Sequence, residues 1–168
     1  MENEYVSSRR RNPPRRGGGT KNSRGRGATW EIFVSHSSKD EWLAKQVALK
    51  LEECGAVPFL AETRIEVGEE FEFEIKEALA HAREFLVLLT PWSLERPYVW
   101  LELGVAWYRG LPIIGVLYGL TRADLAARVS APVLLKSHQL VELNEIGIYF
   151  EQLLKRVAAR PMPKEVDP

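Results

Sequence analysis

The sequence predicts an α/β fold, namely a flavodoxin-like, doubly wound parallel sheet of five strands flanked by helices. From residue 30 onward, short apolar runs alternate with longer amphipathic stretches, which is the pattern of strand–helix units. The run Phe85–Leu89 is apolar on both faces, as expected of a central strand that helices cover on each side. Five strands and about five helices make the doubly wound sheet the default architecture.

Each predicted strand is a short apolar segment. The strands are expected at residues 31–35, 57–60, 85–89, 113–117 and 133–135, the last being Val133–Leu135. Pro58 lacks a backbone donor, which places the second strand at or near a sheet edge.

Helices are predicted where apolar residues repeat every three or four positions. Such repeats are Leu43, Val47, Leu51 and Cys54; Phe71, Ile75 and Leu79; and Leu143, Ile146, Phe150, Leu153 and Val157. Thr121 and Asp124 have the spacing of a capping box for a short helix.

The first 28 residues differ in composition from the rest of the chain. They contain eight basic and two acidic side chains, so their net charge is +6, and the remainder carries −6 because the whole chain is neutral. This segment is rich in arginine and glycine and poor in large apolar side chains, which predicts disorder. Such a tail can bind nucleic acid by counterion release, although solvated linkers have the same composition. Residues 29–160 are the expected folded domain, and residues 161–168 form a short C-terminal tail.

Composition argues against several classes of protein. Cys54 is the single cysteine, so no intrachain disulfide is possible and a reducing compartment is the simplest inference. The sequence shows no apolar run long enough to cross a bilayer and no signal-peptide pattern. We therefore expect a cytoplasmic protein without membrane contact. The three histidines are scattered, and with one cysteine they form no recognisable metal site.

Three polar clusters follow the first three predicted strands, at residues 35–40, 62–68 and 90–102. Ligands of open parallel sheets bind beyond the carboxyl ends of the strands, so we expect these clusters on one rim. The first cluster offers hydroxyls, Lys39 and the start of a helix, a combination that suits an anion such as phosphate. Alternatively, Ser38 or Asp40 caps the following helix.

Glu102 is the strongest candidate for a reacting group. It lies among apolar and aromatic neighbours on a helix predicted over residues 96–107. Tyr98 and Glu102 are spaced i and i+4, so a ring and a carboxylate share one helix face above the end of the preceding strand. A carboxylate in that setting is either paired or functional. A surface ion pair with Arg96 or Arg109 is the structural alternative.

These clusters resemble motifs of the Toll/interleukin-1 receptor (TIR) domain family, over about residues 30–158. Residues 31–40 are similar to the first box of the family, and Arg64–Glu69 to the loop after its second strand. Leu88–Ser93, followed by Tyr98 and Glu102, are similar to its catalytic segment. The run Leu101–Trp107 and the lack of a receptor or death-domain segment are typical of bacterial members.

The resemblance implies an enzyme that cleaves NAD+ between nicotinamide and ribose, with Glu102 in the position of the essential glutamate. NAD+ is then a substrate, and neither a cofactor nor a metal is expected. Family members commonly have tryptophan four residues before the glutamate, where this chain has Tyr98, and Trp100 lies two residues before it. The substrate-binding residues that we expect are Ser35, His36, Ser37, Lys39, Phe59, Arg64, Trp92 and Tyr98.

Other functions remain open at this point. A non-enzymatic adaptor would bind other TIR domains through the loop Arg64, Ile65, Glu66, Val67, Gly68 and Glu69. Enzymes of the family commonly become active when self-association orders this loop, so both roles can coexist. A nucleoside-processing transferase of similar fold would also use a glutamate at the sugar. A phosphoacceptor domain is disfavoured, because Thr90 and Pro91 stand where an aspartate is expected.

The resemblance also implies partners. Self-association through TIR–TIR contacts is expected, together with a sensor or effector protein, as in bacterial antiphage defence or immune-like signalling. Linear ADP-ribose and a cyclic isomer are the two products that the resemblance implies as alternatives.

Overall fold

The structure, a computed structural model, describes residues 29–61, 69–127 and 139–159. In this part of the chain, a parallel five-stranded sheet of order β2-β1-β3-β4-β5 lies between two layers of helices. The strands are β1 (Glu31–Ser35), β2 (Val57–Leu60), β3 (Glu84–Leu89), β4 (Ile113–Leu117) and β5 (Gln139–Glu142). The helices are α1 (Glu41–Glu53), α2 (Glu69–His81), α3 (Pro97–Tyr108), α4 (Arg122–Ala127) and α5 (Gly147–Ala158). This is the predicted flavodoxin-like fold.

Each face of the sheet carries its own apolar core. Successive side chains of a strand point to opposite faces, so Phe33 and Phe85 belong to one core, and Ile32 and Leu86 to the other. Helices α2, α3 and α4 cover the first face, and α1 and α5 cover the second. All six residues of β3 are buried, as predicted for a central strand. The two cores hold the rim above β1 and β3 in place.

The sequence predicts one of the two edge strands of the sheet correctly, and it predicts the other edge strand at different residues. Strand β2 is an edge strand, as Pro58 predicted. The other edge is Gln139–Glu142, whereas the predicted fifth strand, Val133–Leu135, lies outside the described residues. Because β5 has no fully buried side chain, it lacks the continuous apolar run on which that prediction relied. The predicted tails, 1–28 and 161–168, also lie outside the described residues.

The sequence predicts caps at the first residues of two helices, α4 and α1. The capping box is confirmed, since the Thr121 N–H donates to Asp124 Oδ2 at 2.8 Å and the Asp124 N–H donates to Thr121 Oγ1 at 3.1 Å. Of the two predicted caps of α1, Asp40 does occupy the N-cap position, but its side chain makes no capping hydrogen bond, and Ser38 lies in the preceding turn. A 3₁₀ turn precedes α1, and Ser37 caps that turn by accepting a hydrogen bond from the Lys39 N–H at 3.3 Å.

Glu84 anchors α5 to the sheet at the amino-terminal end of β3. It is buried, and its carboxylate accepts hydrogen bonds from Tyr149 Oη at 2.8 Å, Arg156 Nε at 2.9 Å and Trp30 Nε1 at 3.1 Å. A buried carboxylate with three donors is well satisfied. Its role is therefore to hold helix and sheet together.

We expect Glu84→Ala to lower the free energy of unfolding by about 3 kcal/mol, because it leaves the donors of Tyr149 and Arg156 without their acceptor. Urea denaturation followed by circular dichroism measures this change. Glu151→Ala, which removes an exposed carboxylate from α5, is the control and should change the free energy by less than about 0.5 kcal/mol. Equal losses in the two variants would contradict the anchoring role.

Candidate functional site

Glu102 is buried where α3 crosses the carboxyl end of β1. Pro97 begins α3, a position at which its missing N–H costs nothing, and Val99 and Leu103 pack the helix on the sheet. Glu102 lies next to this packed face and is only 5% exposed. Ser35, the last residue of β1, donates a hydrogen bond from Oγ to Glu102 Oε2 at 2.5 Å. This bond joins segments that lie 67 residues apart in the sequence.

The alternative of a surface ion pair is wrong for Glu102. Arg96 Nη2 donates to Ser38 Oγ at 2.9 Å, and Arg109 Nη2 donates to the carbonyl oxygen of Ala80 at 2.9 Å. Among the described residues, no cation lies within ion-pair distance of the Glu102 carboxyl group. Its partner is a hydroxyl, so the desolvation of the carboxylate is not offset by a positive charge.

This environment changes the acidity of Glu102. Burial raises its pKa from 4.5 to about 7, because removal from water disfavours the charged form, while the hydrogen bond from Ser35 opposes the rise. At neutral pH the group is therefore poised between carboxylic acid and carboxylate. Such a shift is common for carboxyl groups that take part in catalysis, and structural networks can also produce it.

An apolar cavity of about 520 Å³ opens beside Glu102, between α2 and α3. Tyr98, Leu101 and Val105 line its α3 side together with Glu102, at i, i+3, i+4 and i+7, and Ile75 lies on the α2 side. The aromatic ring of Tyr98 is half exposed, so it is available to a bound molecule. The site therefore combines a buried carboxyl group, an accessible ring and apolar walls, as ligand pockets commonly do.

Positive charge also borders this cavity. Lys76 on α2 and Arg109 at the end of α3 are among its lining residues. The α2 side of this site is not among the residues predicted from the sequence. The α3 side does have a signal in the sequence, because Leu101, Val105 and Arg109 continue the helix face that Tyr98 and Glu102 define.

The polar cluster after β1 is tied to the loop after β3. Thr90 Oγ1 donates to Asp40 Oδ2 at 2.7 Å, and both residues are buried. Burial raises the pKa of Asp40, while the hydrogen bond from Thr90 and the nearby His36 oppose the rise. Asp40 therefore connects the two rim loops, a role that its sequence position did not indicate.

The turn after β3 orients the two aromatic residues that precede Glu102. The Thr90 N–H donates to Ser93 Oγ at 2.8 Å, and the Ser93 N–H donates to Thr90 Oγ1 at 3.0 Å, which closes the turn. Trp100 Nε1 donates to the carbonyl oxygen of Leu94 at 3.0 Å, and the indole packs on the core. Tyr98, not Trp100, therefore shares the cavity with the carboxyl group.

The structure brings together part of the predicted substrate-binding set. Ser35 contacts Glu102, and Tyr98 lines the same cavity. His36 and Ser37 are buried in the loop directly after Ser35. These residues form one continuous region around the carboxyl end of β1.

Other predicted residues lie elsewhere. Phe59 stacks on Phe33, with ring centroids 5.4 Å apart, and packs against the core. Lys39 and Trp92 are exposed in the loops that follow β1 and β3. Of the predicted self-association loop, Arg64, Ile65, Glu66, Val67 and Gly68 lie outside the described residues, and Glu69 begins α2.

Neither a metal-binding cluster nor a membrane-spanning helix is found in the described ranges 29–61, 69–127 and 139–159. No group of three or more histidine, cysteine, aspartate or glutamate side chains there could hold a metal ion. No helix in these ranges has the length and apolar character needed to span a membrane. The groups that the cavity beside Glu102 does offer are a carboxyl, a phenol ring, apolar side chains and two cations.

We expect Glu102→Gln to stabilise the fold by about 3 kcal/mol at about pH 8, because glutamine keeps an acceptor for Ser35 and avoids the cost of a buried charge. Well below pH 4.5 the wild-type carboxyl is protonated in both the folded and the unfolded state, so the difference disappears. The difference in the free energy of unfolding between the two proteins grows as the pH rises from 4.5 to about 7, the pKa at which Glu102 ionises in the folded protein.

Urea denaturation of both proteins at several pH values measures this difference. Glu95→Gln, at an exposed position in the turn before α3, is the control and should show no such pH dependence. A Glu102→Gln effect that does not change with pH would contradict the shifted ionisation of this residue.

Comparisons with known proteins identify relatives that share the fold described above. The family model described as TIR domain matches residues 32–154. The TIR domain of the Toll-related receptor TRR-2 from Hydra magnipapillata superposes with a TM-score of 0.58 at 18% identity, covering 77% of this chain and 99% of that chain. No curated protein sequence matches the chain.

Two further solved structures share the fold. Clostridium botulinum CMP N-glycosidase, BcmB, has a TM-score of 0.51 at 17% identity, covering 73% of this chain and 96% of that chain. The TIR domains of the activated Roq1 resistosome have a TM-score of 0.50 at 14% identity, covering 79% of this chain and 86% of theirs. At these identities the likeness shows the fold alone. Since the family model spans most of the sequence, the chain belongs to the TIR domain family.

Proposed function

We propose that this protein cleaves the N-glycosidic bond between nicotinamide and ribose of NAD+, with Glu102 as the catalytic residue. The observation that carries the proposal is the buried Glu102 carboxyl, hydrogen-bonded to Ser35 and open to an apolar cavity beside Tyr98. Membership of the TIR domain family supports it, because Glu102 stands where the sequence resembles the catalytic segment of that family.

One carboxylate is sufficient for this reaction. Ordinary glycosidases need a second carboxyl group to protonate the leaving oxygen. Nicotinamide is cationic in NAD+, so when the bond breaks it takes both electrons on its nitrogen and leaves as a neutral base. Positive charge then develops on C1′ and the ring oxygen of the ribose. The ionised Glu102 stabilises that charge, and the low dielectric of the buried site strengthens the interaction.

The surroundings of Glu102 suit the rest of the substrate. The ring of Tyr98 stacks on the flat nicotinamide, and the side chains of Leu101 and Val105 form apolar walls beside it. The pyrophosphate needs positive charge, which Lys76 and Arg109 provide along the cavity. Ser35 acts as a positioning residue, because its hydroxyl holds the carboxyl group in one orientation.

The fate of the ribosyl cation decides the product. Capture by water, with release of a proton to the solvent, yields ADP-ribose. Capture by the adenine of the same molecule, or by one of its ribose hydroxyls with loss of the hydroxyl proton, yields a cyclic product. In the proposed mechanism, self-association of the TIR domain activates the enzyme. This role places the protein in bacterial antiphage defence or immune-like signalling, with a sensor or effector protein as its partner.

We expect Glu102→Ala to abolish nicotinamide release from NAD+ while the fold remains intact, because the carboxyl group acts on the ligand. The assay uses purified protein at high concentration with a crowding agent, and chromatography with mass detection separates linear from cyclic products. Glu95→Ala, an exposed acid near the same loop, is the matched control and should retain full activity. Turnover like that of the wild type in Glu102→Ala would overturn the assignment of Glu102.

The same assay with CMP separates the proposed activity from a nucleotide N-glycosidase. We expect base release from NAD+ and none from CMP. Release from CMP alone would replace NAD+ with a nucleoside monophosphate as substrate. No release from either substrate under assembling conditions would favour the non-enzymatic adaptor.

The pH dependence provides a further prediction. Since the ionised form of Glu102 stabilises the transition state, kcat/KM should rise with pH and level off above about pH 7. Ser35→Ala removes a hydrogen bond that favours the carboxylate, so the rising limb should move to higher pH by about one unit. If Ser35→Ala lowers kcat/KM but leaves the rising limb of its pH profile at the same pH, this role of Ser35 is contradicted.

A further inference from the structure

A second groove, of about 350 Å³, lies at the β2 edge of the sheet, and we name it the edge groove. Its principal lining residues are Glu31, Val57, Phe59, Phe73, Glu74 and Glu77. Glu31 and Val57 begin β1 and β2, so this groove lies at the opposite end of the strands from Ser35. Helix α2 separates it from the cavity beside Glu102, because Ile75 and Leu79 line that cavity while Phe73 and Glu77 line the edge groove.

The edge groove exposes apolar surface. Phe73 is 63% exposed and Val57 is 49% exposed, although both are large apolar residues. Among the described strands, β2 pairs only with β1, so it is an edge strand beside this groove. Exposed strand edges of this kind are usually covered or blunted in soluble proteins. The combination predicts that a chain segment lies here.

The edge groove is also acidic. Glu31, Glu74 and Glu77 line it, and the imidazole of His81 is 4.0 Å from Glu77 Oε2. Glu31 accepts a hydrogen bond from Thr29 Oγ1 at 3.1 Å. Within the described part of the chain, Glu74 has no cation at ion-pair distance. The occupant that matches this groove is therefore a basic segment.

The chain contains such a segment next to the groove. Residues 1–28 carry a net charge of +6, chiefly from arginine, and they lead directly into Thr29 and Glu31 at one end of the groove. An extended chain spans about 3.3 Å per residue, so the arginines of the tail easily reach Phe73 and Glu74. Covalent attachment also raises the local concentration of the tail to the order of millimolar.

We propose that the arginine-rich part of the tail, residues 9–26, binds the edge groove of its own chain. Guanidinium groups pair with the carboxylates of Glu74 and Glu77 and stack on the ring of Phe73. The glycines at positions 17–19 have no side chain that would keep the backbone of the tail away from β2, the outermost of the described strands. This contact is independent of the proposed enzymatic activity.

Paramagnetic broadening in the full-length chain tests the proposal. A nitroxide is attached at Gly18→Cys in a Cys54→Ala background, and the amide signals of the folded domain are compared before and after reduction of the label. We expect selective broadening of the Val57, Phe73, Glu74 and Glu77 amides at about 0.01 M salt, where screening is weak. At about 1 M salt, where the Debye length is about 3 Å, the broadening should be lost.

Matched variants identify the groove as the binding site. The pair Glu74→Gln and Glu77→Gln should abolish the selective broadening. The control pair Glu52→Gln and Glu151→Gln removes the same charge from α1 and α5, on the opposite face of the sheet, and should leave it unchanged. Broadening that is absent, uniform over the domain or equally lost in both double variants would overturn the proposal.

A mixed sample tests whether the tail binds its own chain. Isotope-labelled protein without the nitroxide is combined with unlabelled protein that carries it. The proposal predicts no broadening of the groove amides in this mixture. The reference is the sample in which one chain carries both the isotope label and the nitroxide. If the mixture shows equally strong broadening, the tail binds the groove of a second copy, and the contact within one chain is overturned.

Discussion

The parallel pairing of β1 with β3 is the constraint on which the rest of the structure depends. Their register aligns Ser35 with Val87, so both strands end on the same rim of the sheet. The loops that follow them therefore meet, and the hydrogen bond between Thr90 and Asp40 joins them. At the other rim the same register aligns Ile32 with Glu84, which places the buried anchor for α5 at the sheet's amino end.

In the proposed reaction, the burial of Glu102 lowers the stability of the fold and at the same time favours catalysis. A carboxyl group with a pKa raised to about 7 has an energetic cost when it is ionised in the folded protein, and a neutral side chain would avoid it. The same desolvation strengthens the interaction of the carboxylate with a developing positive charge. Ser35 lowers the cost only in part, so the site retains a group that is close to its ionisation point at neutral pH.

Helix α2 has two functional sides in this interpretation. Ile75 and Leu79 face α3 across the cavity beside Glu102, whereas Phe73 and Glu77 face the β2 edge. The two grooves differ in charge and in their position along the strands, because one includes a buried carboxyl and two cations and the other has an acidic lining. A single helix can therefore separate a site for a small molecule from a surface for a basic chain segment.

Local patterns in the sequence were sufficient for the order of the first four strands and their helices, the edge position of β2, the Thr121–Asp124 capping box and the shared face of Tyr98 and Glu102. Periodicity and turn chemistry are properties of neighbouring residues, so they survive in the sequence. Only the tertiary structure decided that Glu102 pairs with Ser35 rather than with an arginine, that Asp40 joins two loops, and that the described second edge is Gln139–Glu142. These features depend on desolvation and on contacts between distant segments, which exist only when the sheet has brought those segments together.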